Sequence, residues 1–190
     1  MDVTLRPATR DDIPDLSRLH MLGAHGLIDA VYHDALPELP TNEIFERVLA
    51  LTGTRNSFEN ASIAMQEDRV IGEVHAYPFD DTGTNRTNPY IPKDRLILFE
   101  PYKRLDPLAA GTYHINILAV YPEFSGKGVG TRLMSLARSH AKQRGFSKLS
   151  LLVFDNNRAV DLYQRLGFVV TGRSPLIHVS GDLLAMACPI

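Results

Sequence analysis

A single cysteine, Cys188, stands in the 190 residues, so no disulfide can close within the chain. Its expected role is that of a small buried apolar side chain. Charge of one sign is also lacking: Lys and Arg number 20, Asp and Glu 22, for a net charge of -2. Binding to a phosphate backbone by bulk electrostatics needs a strong basic excess, so nucleic acid is not an expected partner. No apolar run approaches the ~20 residues of a membrane-crossing helix. The opening Met1-Asp2-Val3-Thr4-Leu5-Arg6 has no secretory apolar region, so a cytoplasmic protein without a membrane partner is the expectation. His20, His25, His33, His75 and His140 show no metal-ligand spacing with cysteine or paired carboxylates. No metal is expected, and these histidines read as scattered surface or core residues. The strand-turn-helix serine motif of hydrolases is missing, and there are no repeats or low-complexity tracts. Asn85-Arg86-Thr87 matches a glycosylation sequon, which reads as chance without an export signal.

What is present is an ordinary globular composition, 44% hydrophobic and 22% charged, of a length that fits one domain over residues 1–190. Val3 to Arg6 alternates and reads as a strand. Thr9 to Asp12 offers a capping box, Pro14 falls in the first turn, and Ile13, Leu16 and Leu19 follow helical spacing up to Gly23 and Gly26. Residues 26–40 read as irregular. Thr41 or Asn42 is the expected cap of a second helix carrying Ile44, Phe45, Val48 and Leu49. Ala61–Met65 and Val70–Tyr77 form a hairpin about Glu67-Asp68. Residues 80–111, rich in Pro, Asn, Thr and Gly, exceed the ~12–15 residues of a simple connection and read as a lid or insertion. Within it, Leu96-Ile97-Leu98-Phe99 is expected to pack as a short helix or strand. The second half is more regular. Tyr113–Val120 is a strand, and a helix ends near Gln143 with an apolar stripe of Val129, Leu133, Leu136, Ala137 and Ala141. Leu149–Phe154 is a buried strand. A helix spans 157–166, and final strands lie around Val169-Val170 and Leu183–Ala187, about a turn at Ser180-Gly181-Asp182.

Between the strand ending at Val120 and the following helix lies Ser125-Gly126-Lys127-Gly128-Val129-Gly130-Thr131. Glycines allow a sharp turn and close approach of backbone to a ligand. The first N–H groups of a helix lack internal partners, and the helix dipole favours an anion there. Each hydrogen bond to a charged oxygen contributes ~1.5–3 kcal/mol. The spacing fits neither a nucleoside-triphosphatase loop nor a dinucleotide fingerprint.

Two further segments carry a resemblance. Upstream stands His114-Ile115-Asn116-Ile117-Leu118-Ala119-Val120-Tyr121-Pro122, and downstream Asn156-Asn157-Arg158-Ala159-Val160-Asp161-Leu162-Tyr163-Gln164-Arg165-Leu166-Gly167-Phe168. With the glycine turn between them, this stretch of about Tyr113 to Phe168 resembles the GCN5-related N-acetyltransferase (GNAT) superfamily. One departure is Ser125, where that family usually carries Arg or Gln. The resemblance implies an α/β (α+β) fold: a mixed, mostly antiparallel twisted sheet with two splayed central strands, flanked by helices. It implies acetyl-CoA as the acyl donor and an amine acceptor, small molecule or protein, with a homodimer as a common assembly. The pantetheine arm would meet the backbone of Leu118 and Val120. Ser125, Gly126, Lys127, Gly128, Val129, Gly130 and Thr131 would cradle the diphosphate, while Asn156 and Ala159 would flank the arm. Tyr163 would serve the departing sulfur as acid. His114 falls where relatives carry a catalytic glutamate or histidine, and is expected to act as base through a water oriented by Asn116; His178 is a weaker candidate. Strand periodicity places His114, Asn116, Leu118 and Val120 on one face. The stretch from Leu19 to Glu46 has no Lys or Arg but carries Asp29, Asp34, Glu38, Glu43 and Glu46, with Tyr32 beside them. Asp29, Tyr32 and Asp34 are therefore expected to bind a cationic acceptor. An acyl-CoA-binding module without transfer, and an acyl group longer than acetyl, remain alternative readings.

Overall fold

The computed structural model describes residues 2–79, 88–176 and 181–190, with the side chains of 106–108 excepted. His178 and the sequon at 85–87 lie outside the described residues.

Strand β1 (Thr4–Pro7) leads into a 3₁₀ turn and helix α1 (Ile13–Gly23). Arg6 forks onto Asp12, with Nη1 2.7 Å from Oδ2 and Nη2 2.8 Å from Oδ1, while the Thr9 amide and hydroxyl both donate to Oδ2. The junction is thereby fixed before the helix begins. Residues 26–40 are not wholly irregular: Gly26, at φ 84°, starts the short helix α2 (Leu27–Tyr32). Its six residues are too few to establish a helical period in sequence. Helix α3 (Thr41–Leu49) follows Pro40 with no side-chain cap, so neither Thr41 nor Asn42 plays the expected capping role. Its Ile44, Phe45, Val48 and Leu49 turn inward as the spacing requires.

Strands β2 (Ala61–Gln66) and β3 (Arg69–Phe79) form the expected hairpin. The described part of the 80–111 segment is not a bare loop. A 3₁₀ turn over Lys93–Phe99 runs into helix α4 (Glu100–Ala109), whose Leu105 packs on Leu183 and Ala185. Strand β4 (Thr112–Val120), helix α5 (Val129–Gln143), strand β5 (Lys148–Phe154), helix α6 (Ala159–Arg165) and strands β6 (Val169–Pro175) and β7 (Asp182–Pro189) complete the chain. On α5 the buried stripe is Val129, Leu133, Met134, Ala137 and Ala141, with Met134 in the place expected for Leu136.

Among the described residues the strands form one seven-stranded sheet in the order β1-β2-β3-β4-β5-β7-β6, antiparallel except for β4 beside β5. One face packs on α5 and α6 through Ile71, Val74, Ile115, Leu133, Leu151 and Phe168. The other packs on α1, α2 and α3 through Leu16, Leu19, Val31, Ile44 and Ile63. Among the described residues no helix is long and apolar enough to cross a membrane.

Two irregularities in β4 position the site. Its ladder with β5 consists of Tyr113↔Leu149, His114↔Ser150 and Ile115↔Leu151, and stops there. From Asn116 onward β4 pairs only with β3, so the two central strands part. Opposite β3, Ile115 faces Ala76 while Ile117 faces His75, leaving Asn116 as an extra residue. Such a bulge bends the strand and re-aims its side chains. Here it reverses the alternation: Tyr113, Ile115, Leu118 and Val120 contact the α5 core, whereas Ile117 and Ala119 contact the α1–α3 core. The expectation that His114, Asn116, Leu118 and Val120 share one face is thus corrected, because strict period-2 counting fails across an inserted residue. Close approach of β3 to β4 here needs Gly72, whose Cβ would lie 2.8 Å from the Ala119 carbonyl oxygen.

Candidate functional site

The parted strands open into a cavity of about 970 Å³. Leu118, Val120, Asn116 and His114 reach it from β4, Ala159 and Tyr163 from α6, and Ser125 from the rim of the glycine turn. Ala159 and Tyr163 are four residues apart, hence on one helix face.

Around the turn, Gly126 and Gly128 have φ of 72° and 81°, and no atom lies within 4 Å of where a Cβ would stand on either. Both features fit a backbone cradle open to a ligand. Gly128 begins α5, whose first turn carries no acidic residue, so the positive end of its dipole is not offset there. Ser125, Gly126, Lys127, Gly128 and Thr131 are exposed, Gly130 is half-buried, and Val129 is anchored in the core. Ser125 Oγ donates to the Tyr121 carbonyl (3.4 Å), and the Lys127 ammonium sits 5.5 Å from the centre of the Phe124 ring. Asn156 is exposed and does not line the cavity; the next residue does. Asn157 accepts from the Ala159 amide (2.8 Å) and its Nδ2 donates to His25 Nε2 (2.8 Å), so it ties the start of α6 to the end of α1.

Tyr163 is buried against Phe168, with ring centres 5.8 Å apart, and desolvation pushes its phenol up to about 12. It therefore remains a proton donor throughout the neutral and mildly alkaline range. His114 is also buried; desolvation, and secondarily the Arg55 charge, push its imidazole down to about 3. Its tautomer follows from a chain of hydroxyls. The Thr112 hydroxyl donates to the Ala109 carbonyl (2.7 Å), so it accepts from Ser150 (2.5 Å). Ser150, its one proton committed, accepts from His114 Nδ1 at 2.8 Å. Nε2 thus bears the lone pair. Asn116 Nδ2 lies 3.4 Å from His75 Nδ1, and His75 Nε2–H donates to the Ser57 carbonyl (3.1 Å). Burial holds His75 neutral as well, down to about 3.

The acceptor side departs from expectation. Asp29 and Asp34 are exposed and do not line the cavity, and Asp34 pairs instead with neighbouring His33 (3.1 Å). The six residues of α2 turn Ile28, Val31 and Tyr32 inward, which sends Asp29 to solvent. Tyr32 does line the cavity, held by Asn88 Nδ2 at 2.7 Å. No Asp or Glu occurs among the described residues of the wall, which instead presents Phe45, Tyr77, Phe79, Phe99 and Tyr102. Sequence reasoning also passed over Ser150, Arg55 and Glu73, and took His20 for a scattered surface or core residue. Arg55 stacks 4.3 Å over the Phe79 ring. A signal was available in β3, where Glu73, His75 and Tyr77 alternate on a single face.

A mixed sheet parted at its centre, with a glycine turn at the helix entry and a phenol facing the gap, is the framework of the acetyltransferases. The model of the Acetyltransferase (GNAT) family matches residues 28–168, and the chain belongs to that family. Among curated proteins it is similar to human N-acetyltransferase 8B, 30% identical over 126 residues, covering 64% of this chain and 43% of that protein. It is also similar to thialysine N-epsilon-acetyltransferase of Bos taurus, 38% identical over 55 residues, covering 28% of this chain and 32% of the relative. The chain thus spans less than half the length of these relatives. Solved structures of similar fold include an acetyltransferase with a TM-score of 0.66 at 20% identity, covering 98% of this chain and 99% of that one. Another is the mosquito arylalkylamine N-acetyltransferase like 5b, TM-score 0.64 at 16% identity over the full length of both.

Proposed function

We propose that the chain moves an acetyl group from acetyl-CoA to a primary amine by direct attack within a ternary complex, and that the acceptor carries an apolar or aromatic body. One observation carries this reading: a single cavity joins the unpaired edge of β4, the Tyr163 phenol and an aromatic wall with no carboxylate among its described residues. The cradle at Gly126 and Gly128 fits the diphosphate of coenzyme A, with the amides up to Thr131 as its donors. The β4 backbone at Leu118 and Val120, lacking a β5 partner, suits an extended amide-bearing arm laid along it, and bound acetyl-CoA supplies an activated thioester carbonyl.

The acceptor must lose a proton first. An alkylammonium has a pKa of ~10.4, so neutral amine costs ~4 kcal/mol at physiological pH. His114 stays neutral and offers Nε2, but with basicity held so low, proton transfer to it from an ammonium is far uphill. Its assigned role is to accept a hydrogen bond and orient the acceptor beside Asn116. Tyr163, protonated throughout, donates to the sulfur as it departs.

The test is release of free thiol from acetyl-CoA on incubation with phenylethylamine, benzylamine, lysine and spermidine. Turnover of the aromatic amines above the aliphatic ones is the expected order. Acetyl-CoA binding in calorimetry without thiol release from any of the four would leave a binding module and end the transfer reading.

A further inference from the structure

Glu73 lies in the middle of β3 and is fully buried. Burial of a carboxylate among apolar groups is costly unless a partner of opposite charge stands close. Desolvation raises its pKa, and His20 opposes that rise. His20, in the last turn of α1, places Nδ1 2.8 Å from Glu73 Oε1 and 3.1 Å from the Leu16 carbonyl. A carbonyl only accepts, so Nδ1 carries a proton and Nε2 holds the lone pair whenever the ring is neutral. Nε2 is buried without a hydrogen-bond partner, and neither oxygen of Glu73 has an aligned donor. Such orphaned polar atoms are uncommon in a folded interior, and here three belong to one His–Glu pair. The His20 side chain is part of the cavity wall, between the Phe45 ring (5.3 Å) and the His75 ring (5.0 Å).

We propose that His20 is the group that takes the proton from the incoming ammonium, with Glu73 as its positioning and charge-compensating partner, a role that rests on the acetyl transfer proposed above. The reactive form of the dyad has Glu73 ionised and the His20 Nε2 lone pair free, one negative charge behind a wall with no carboxylate among its described residues. That charge draws the ammonium to Nε2. One N–H bond breaks and its proton passes to His20, giving an imidazolium 2.8 Å from a carboxylate. The freed nitrogen pair forms the C–N bond, and the C–S bond breaks with its electron pair on sulfur. The second nitrogen proton, acidic after attack, passes through the Tyr163 hydroxyl to the thiolate, and His20 returns the first proton to solvent. His114 lacks this support, because its Nδ1 donates to a hydroxyl and Arg55 opposes an imidazolium. The other ionisable groups about the dyad are His75 and Tyr77 on β3, His114 on β4, Arg55, Tyr32 on α2, and Tyr121, which feels Glu73 together with Asp15, Arg18 and Arg69. His75 and His114 are held neutral, and Tyr32 and Tyr121 are held protonated.

The experiment measures kcat/KM from about pH 5 to 9 for the best amine of the four-compound panel, in the parent, His20→Gln, Glu73→Gln and Glu73→Asp. The expected result is a roughly 100-fold loss in His20→Gln and Glu73→Gln with unchanged acetyl-CoA affinity. The rise of the parent's profile to a plateau is replaced in these variants by a rise that continues toward the amine's own pKa near ~10.4. Glu73→Asp recovers part of the rate and restores the plateau. A merely structural pair would lower thermal stability and leave the profile of the residual activity unchanged, and that result overturns the assignment. Should the variants fail to fold, nitrogen NMR of the intact parent decides: a His20 ring protonated on Nε2 in its neutral form overturns the proposal, and Nδ1–H with a free Nε2 supports it. A parent that binds acetyl-CoA but acetylates no amine removes the transfer reading itself, and this role with it.

Discussion

At the scale of single residues, the proposed chemistry rests on groups whose protonation is set by burial. With its pKa near 12, Tyr163 is a poorer acid than a thiol, whose ordinary pKa is about 8.5. Full proton loss to the departing sulfur is therefore uphill unless another proton replaces it, so in the proposed reaction the phenol would act as a donor in a relay. Tyr163→Phe is expected to lower kcat roughly 10- to 100-fold while the acetyl-CoA Kd changes little, checked by steady-state kinetics beside calorimetry. Asp12 is the opposite case, a carboxylate held at about 2 by the Arg6 fork and the Thr9 donors. Because its folded pKa lies below the ordinary 3.8, its contribution is complete above about pH 4 and disappears as pH falls toward 2. With Arg6 partly in solvent, Asp12→Ala should cost about 1–2 kcal/mol at neutral pH, and urea unfolding at descending pH should show the gap close. Tyr163 and His114 were legible in the sequence because each stands in a short motif of fixed spacing. His20 and Glu73 were not, because α1 and β3 supply one residue each and only the fold brings them to 2.8 Å.

At the scale of elements, the glycine turn and α5 show how closely pattern and structure agree where local physics decides. Glycine at φ 81° before Val129 is the left-handed position that the sequence leads one to expect. Gly128→Ala meets no atom within 4 Å, so its cost is conformational, about 1 kcal/mol, and re-aimed amides should raise the acetyl-CoA Kd beyond what that loss explains. Thermal unfolding and calorimetry on one preparation separate the two effects. Elements decided by distant contacts were harder to read. The bulge at Asn116 leaves no mark in composition, since Ile115 and Ile117 are apolar on either alternation. Helix α4 hides within a segment whose Pro and Asn content suggests loop, although Pro101 sits in its first turn, where a missing N–H matters little. The acidic stretch containing Asp29 and Asp34 misled for a related reason: charge counted along a chain says nothing of which helix face is wet.

For the whole molecule, the class of sheet, its flanking helices and the parted strands follow from the resemblance over Tyr113 to Phe168, and the family match reaches back to residue 28. The proposed acceptor side of the cavity did not follow, because its wall is assembled from α1, α2, α3, α4 and β3, which the motif does not touch. Since acetyl-CoA is expected to engage the folded chain alone, a 100-fold excess over its Kd should add about 2.7 kcal/mol. At this chain length that corresponds to a rise of roughly 5–10 °C in Tm, and thermal unfolding with and without the thioester measures it.

Only three residue pairs stitch β4 to β5, so the sheet has a seam through its middle. Amides of 116–120 that turn away from β3 have no ladder to shield them and should exchange with deuterated solvent faster than their neighbours in β3. A thioester arm lying along that seam would act as a temporary strand. Its arrival should therefore register as slowed exchange confined to this stretch, a readout of donor binding that needs no knowledge of the acceptor.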